Sequence, residues 1–220
     1  MSEENSGRTE WLGYSAEGRP ILSHALGEGK EVVVFFGAFH GDEPESIEVC
    51  RELLNYLEER PDLLQGLTAI IVPVVNPDGL EKGIRLNARG VDLNRNFPTG
   101  DWSPEGEGGD YWGGPSAASE PETRVVMELL ERVKPARIVT LHCPYRCVNY
   151  DGPAEDLAKA MARENGYKVE AGIGYPTPGS FGTFAGIEKQ IPTITLELPP
   201  TGEEDVWNDN RSALIRALQG

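Results

Sequence analysis

The chain has 220 residues, enough for one substantial α/β core, and its 39% apolar and 25% charged content is that of an ordinary soluble globule. Its 20 lysines and arginines against 36 acidic residues give a formal charge of −16, which argues against nucleic acid and anionic membrane as partners. No run reaches membrane-span length, MSEENSGRTEW lacks an apolar signal segment, and three cysteines form no disulfide framework, so the cytoplasm is the expected compartment.

In chain order, residues 1–30 read as a lead-in. EVVVFFGAF (31–39) is the first of four short runs rich in β-branched residues; LTAIIVPVV (67–75), ARIVTLH (136–142) and PTITLEL (192–198) follow. Each is nearly continuous in hydrophobicity, as expected of strands buried on both faces. Helical spacing appears between them. In PESIEVCRELLNYLEER (44–60), Ile47, Cys50, Leu54 and Leu57 share a face. SEPETRVVMELLERV (119–133) begins with a capping box of Ser119 and Glu122, AEDLAKAMAREN (154–165) reads as a third helix, and a fourth runs from about Glu203 to the C-terminus. The glycine-rich stretch 99–118 reads as a long surface loop. Strands alternating with helices predict one α/β domain over residues 1–220: a mixed, mostly parallel twisted sheet with helices on both faces.

In such sheets a ligand sits beyond the carboxyl ends of the strands. His40 follows the first run, His142 ends the third and Glu197 lies near the end of the fourth. Glu43, three residues after His40, sits beside Pro44 at a helix start, where the ionised carboxylate is favoured. Two histidines and a glutamate with one position open suit catalytic zinc. His40 as a strand cap and Glu43 as a helix start is the plainer alternative. The loop GIRLNARGVDLNRNFP (83–98) gathers Arg85, Arg89 and Arg95 with Asn87 and Asn94, an anion clamp in an acidic chain, with Asp92 as a structural partner. Glu197 in an apolar strand is either an ion-pair member or a tuned acid/base. His24 has no companion motif, and Cys143 and Cys147 read as ordinary reduced thiols.

HGDE, NPDG, RLNARGVDLNRNFP, SEPET, LHCP and TLELP, in that order over roughly residues 33–200, resemble the zinc metallocarboxypeptidase family, and within it the bacterial murein amidase branch. The resemblance implies one zinc ion per chain held by His40, Glu43 and His142, with Glu197 as general base and then acid. It implies Arg85 at the scissile carbonyl, Asn94 and Arg95 on the free carboxylate of the leaving residue, and Tyr175 as a substrate contact. The expected substrate is a small peptide with a free carboxylate, above all the γ-D-Glu–meso-diaminopimelate bond of a murein tripeptide. Other peptides, or N-acyl amino acids, are the alternatives. Phe181 marks the expected base of the specificity pocket as apolar, with no acid to announce a basic side chain.

Overall fold

The computed structural model describes residues 7–200, 202 and 205–220. Residues 1–6 of the expected lead-in, and Glu203 as the expected start of the last helix, lie outside them. The rest of the lead-in contains two antiparallel strands, β1 (Arg8–Tyr14) and β2 (Pro20–Leu26). In β2, Ile21, Ser23 and Leu26 are buried while Pro20 and Leu22 face outward. That alternation belongs to a strand with one wetted face and carries less hydrophobic signal than a buried run.

The four apolar runs form β3 (Glu31–Phe36), β4 (Leu67–Val72), β5 (Arg137–His142) and, last in the chain, β8 (Thr193–Glu197). They lie together at the centre of the sheet in the order β4-β3-β5-β8, all parallel. Two short strands, β6 (Cys147–Asp151) and β7 (Lys168–Glu170), extend the β8 edge. The whole sheet runs β1-β2-β4-β3-β5-β8-β6-β7, with β2 antiparallel to β4 and β6 antiparallel to β8. The expected mixed, mostly parallel sheet is the observed one.

Each central strand is apolar on both sides because helices or loops cover both faces. On one face Phe35, Ile71, Leu141 and Leu196 pack with α1 (Pro44–Glu59), α4 (Glu155–Asn165) and α5 (Val206–Gln219). On the other, Phe36, Val72 and Ile138 meet Val126, Leu129 and Leu130 of α3 (Pro121–Val133) and an aromatic group of Phe39, Phe97, Phe181 and Phe184. The ring of Phe181 thus belongs to this core. Fully burying a side chain of this size contributes roughly 1.5–3 kcal/mol.

Two local expectations change. NPDG, whose Asn-Pro and Asp-Gly pairs are turn signals, opens α2 (Pro77–Lys82), where the Asn76 side chain accepts from the N–H of Gly79 at 2.9 Å. The capping box of Ser119 and Glu122 does not form. The helix starts after Glu120, and the Glu122 carboxylate instead accepts from the backbone of Ala16 at 2.8 Å. No helix among the described residues is long and apolar enough to cross a membrane.

Candidate active site

β3 lies between β4 and β5, which are approached from opposite sides in sequence, and ligands bind at such a switch point beyond the strand ends. Four residues past the end of β3, His40 turns back toward β5. Glu43 is the N-cap of α1 but makes no capping hydrogen bond, so its carboxylate is free for the two imidazoles. Its Oε1 lies 2.8 Å from His40 Nδ1 and its Oε2 3.0 Å from His142 Nδ1. The two Nδ1 atoms are 3.3 Å apart, and all three side chains are buried. Tetrahedral zinc with bonds of 2.0–2.1 Å requires nitrogen donors about 3.3 Å from each other. The donor set fits the ion.

The surroundings fix the ligand atoms. Asp92 Oδ1 lies 3.1 Å from His40 Nε2, leaving Nδ1 directed at the cluster, while Asp92 Oδ2 accepts from the Arg85 guanidinium at 2.8 Å. Carboxylate support of this kind orients a metal-binding imidazole and raises its basicity. Asp92, read as a loop partner, is therefore also a partner of His40. Burial disfavours the His40 imidazolium, yet Glu43 and Asp92 together lift its pKa to about 9. Burial likewise works against the Glu43 carboxylate, and the two histidines overcome it, holding the pKa at about 2. Anions that favour a proton here favour a divalent cation in the same place. Gly41 keeps the turn tight: a methyl there would stand 2.0 Å from the carbonyl carbon of Gly79.

Glu197 ends β8 directly opposite His142 of β5. It is buried, and its Oε2 has no hydrogen-bond partner among the described residues. Burial raises its pKa, and Glu43 adds to that, while His142 and the N–H of Tyr145 pull the other way. An orphaned carboxylate oxygen with elevated proton affinity is equipped to take and return a proton.

His40, Glu43, His142 and Glu197 share a cavity of about 530 Å³ with Arg85, Asn94, Arg95 and Tyr175. The residues to which the family resemblance gave site roles therefore lie at one place. The amide oxygen of Asn94 accepts from the N–H of Phe181 at 2.8 Å, which leaves its NH₂ to donate. Arg85 and Arg95 present their guanidinium groups to the Tyr111 ring at 5.1 and 5.6 Å, and that ring also meets Tyr175 at 6.3 Å. Tyr111 sits in the long loop 99–118, and the only signal for it in the sequence was the loop's length.

The clamp is smaller than expected. Arg89 does not line the cavity; its half-exposed side chain stands 3.6 Å from Glu120. Asn87 is buried, donating to Glu120 at 2.8 Å and accepting from the N–H groups of Arg89 and Val91, so it shapes the loop instead of meeting a ligand. His24 pairs with Thr9 across β1 and β2, and all three cysteines are free. The specificity pocket departs most. Phe181 does not line it, whereas Asp151 does.

Residues 1–154 match the family model described as zinc carboxypeptidase. Murein peptide amidase A of Escherichia coli K12 is 34% identical, with 96% of this chain and 89% of that protein covered. The crystal structure of murein-tripeptide amidase from Escherichia coli O157 superposes with a TM-score of 0.79 at 28% identity, covering 100% of this chain and 94% of the other. Carboxypeptidase A from Helicoverpa armigera shares the fold, with a TM-score of 0.83 at 20% identity over 97% of this chain and 68% of its own. With a donor set suited to zinc at the tip of that sheet, the chain belongs to the zinc carboxypeptidase family and is a zinc hydrolase.

Proposed function

We propose that this hydrolase cleaves the γ-D-Glu–meso-diaminopimelate bond of murein tripeptide and releases the C-terminal residue, acting in the cytoplasm on wall fragments with residues 1–220 as one catalytic domain. What supports it most is the joint placement, in one cavity, of the His40–Glu43–His142 cluster, the unpartnered Glu197 carboxylate and the Asn94–Arg95 pair. The similarity to murein peptide amidase A supplies the substrate.

Zinc held by His40, Glu43 and His142 would supply Lewis acidity, which polarises a carbonyl and acidifies water. Glu197 takes the proton of the attacking water on its free Oε2 and returns it to the departing amine nitrogen. Its desolvated site raises its affinity for the proton, which favours holding it between the two transfers. Arg85 hydrogen-bonds the carbonyl oxygen as negative charge develops there. Asn94 and Arg95 hold the free carboxylate of the leaving residue and so align the scissile bond. Asp92 keeps the His40 ring oriented and Arg85 in place.

A comparison of kcat/KM on L-Ala-γ-D-Glu-meso-diaminopimelate, an ordinary α-linked tripeptide and an N-succinyl amino acid tests the substrate. The murein tripeptide should lead by at least about tenfold, the scale of one good differential contact. A lead for either of the others would overturn the assignment in favour of a general carboxypeptidase or a deacylase.

A further inference from the structure

Tyr111 has a setting that burial does not explain. It is 59% exposed, yet its ring meets two guanidinium groups at once, with Arg85 Cζ 5.1 Å and Arg95 Cζ 5.6 Å from its centre. Both distances lie within cation–π range. The two cations are otherwise held differently. Asp92 Oδ2 accepts from Nε and Nη2 of Arg85, at 3.2 and 2.8 Å. Arg95 is buried and gives one N–H to the carbonyl of Asn94 at 2.7 Å, and among the described residues it forms no ion pair with a carboxylate. The Tyr111 ring is what it has instead. An acid in that place would neutralise Arg95 and compete with an incoming carboxylate. A ring face steadies the cation and leaves its charge to the ligand.

The ring is carried by the clamp loop itself. The Trp112 carbonyl accepts from the Asp92 N–H at 2.9 Å, and the Trp112 N–H closes a turn on the Gly109 carbonyl at 3.2 Å. The Gly113 carbonyl accepts from the Asn96 side-chain amide at 2.7 Å and from the Trp102 indole N–H at 3.2 Å. A methyl on Gly113 would lie 2.4 Å from the Arg95 carbonyl oxygen, so a larger residue would force the two segments apart. The backbone on the C-terminal side of Tyr111 is thus fastened to the stretch that carries Asp92, Arg95 and Asn96. The residue lines the cavity, where its ring also meets Tyr175 at 6.3 Å.

We propose that Tyr111 is the positioning residue of the anion clamp: its π face, pinned to the turn of Asp92–Asn96, holds Arg85 and Arg95 at one spacing, so that the carbonyl and the free carboxylate of a substrate are met together. Two like charges side by side repel each other, and a shared ring offsets that without filling either donor fork. This rests on the hydrolase reading above and deepens its carboxylate clamp.

The test replaces Tyr111 with Leu, with Phe, and with progressively fluorinated phenylalanines, which weaken the π face at nearly constant shape. Tyr111→Phe should stay within about twofold of wild type, whereas Tyr111→Leu should raise KM about tenfold for a peptide with a free carboxylate, the scale of such a contact, while kcat falls less. Each added fluorine should raise KM further, and peptides amidated at the carboxylate should respond less. The same changes on a Glu197→Gln background, titrated by calorimetry with L-Ala-γ-D-Glu-meso-diaminopimelate, should weaken binding in the same order without turnover. A Leu variant close to wild type, or a Leu effect with a flat fluorine series, would overturn the assignment, since a ring that only fills space is blind to fluorine. If Tyr111→Leu does not fold, the near-isosteric fluorine series decides it. Should the murein tripeptide be neither bound nor cut while an α-linked tripeptide shows the graded series, the murein reading falls and the role of Tyr111 stands. Cleavage of the murein tripeptide with a flat series does the reverse. If no peptide binds, NMR of the arginine Nε–H groups decides: the ring current should be lost from Arg85 and Arg95 in Tyr111→Leu, and unmoved signals would overturn the assignment.

Discussion

The two ends of the cavity are built on opposite principles. At the metal end the ligand side chains and their support are tied: Glu43 to both histidines, His40 to Asp92, Asp92 to Arg85. At the far end Asp151 is tied, among the described residues, to nothing but its strand, and two glycines merely leave it room. A tied network holds ligand atoms in place before anything binds, which catalysis rewards. An untied acid leaves its pairing to whatever binds there. Glu197 lies at the metal end yet keeps one oxygen free, as a group that must move a proton should.

That contrast can be broken at several points. The largest effect is expected from Glu197→Gln, which should lower kcat by about 10³-fold with zinc retained, as read by steady-state kinetics and metal analysis. Near-normal turnover would remove Glu197 as the base. Asp92→Asn should weaken zinc affinity by about 10- to 100-fold in a chelator competition, since it loosens His40 and frees Arg85. Arg95→Ala should raise KM about 10- to 100-fold for peptides with a free carboxylate while kcat changes little, and peptides amidated at that carboxylate should not register the change.

The smallest effect concerns stability. The folded pKa of Asp151, about 6, lies above its ordinary 3.8, so the native state holds this proton more tightly than the unfolded chain. The group therefore destabilises the fold above pH 6, and the penalty fades as pH falls toward 4. Asp151→Asn should melt higher than wild type at pH 7, with the gap closing by pH 4 in thermal scans. A lower melting point at pH 7 would mean that the carboxylate has a stabilising partner after all. Removing an unpaired buried charge to gain stability is a common trade at binding sites.

The same division explains what the sequence showed. The metal end was legible because its residues sit at the ends of buried strands, where an unbroken apolar run makes a terminal histidine or glutamate conspicuous: Phe36 before His40, Leu141 before His142, Leu196 before Glu197. Arg85, Asn94 and Arg95 were legible as cations and amides crowded into one loop, although spacing alone did not separate Arg95, turned into the cavity, from Arg89, paired with Glu120. Asp151 was hidden because it ends a five-residue strand whose place is set by pairing with β8, a contact across more than forty residues of chain that no local pattern announces. Phe181 was misplaced for a related reason: its ring packs on Phe36 and Phe39 from one distant segment and on Phe97 from another. The edge strand β1 and its neighbour β2 were missed because a one-sided strand alternates and so resembles a polar lead-in.

The most direct test of the account is mass spectrometry of L-Ala-γ-D-Glu-meso-diaminopimelate incubated with the zinc-loaded protein, beside a sample stripped by chelator. Free diaminopimelate and L-Ala-D-Glu are expected in the first sample only, with activity restored when zinc is returned. An intact tripeptide in the presence of bound zinc, or equal cleavage after zinc removal, would contradict it.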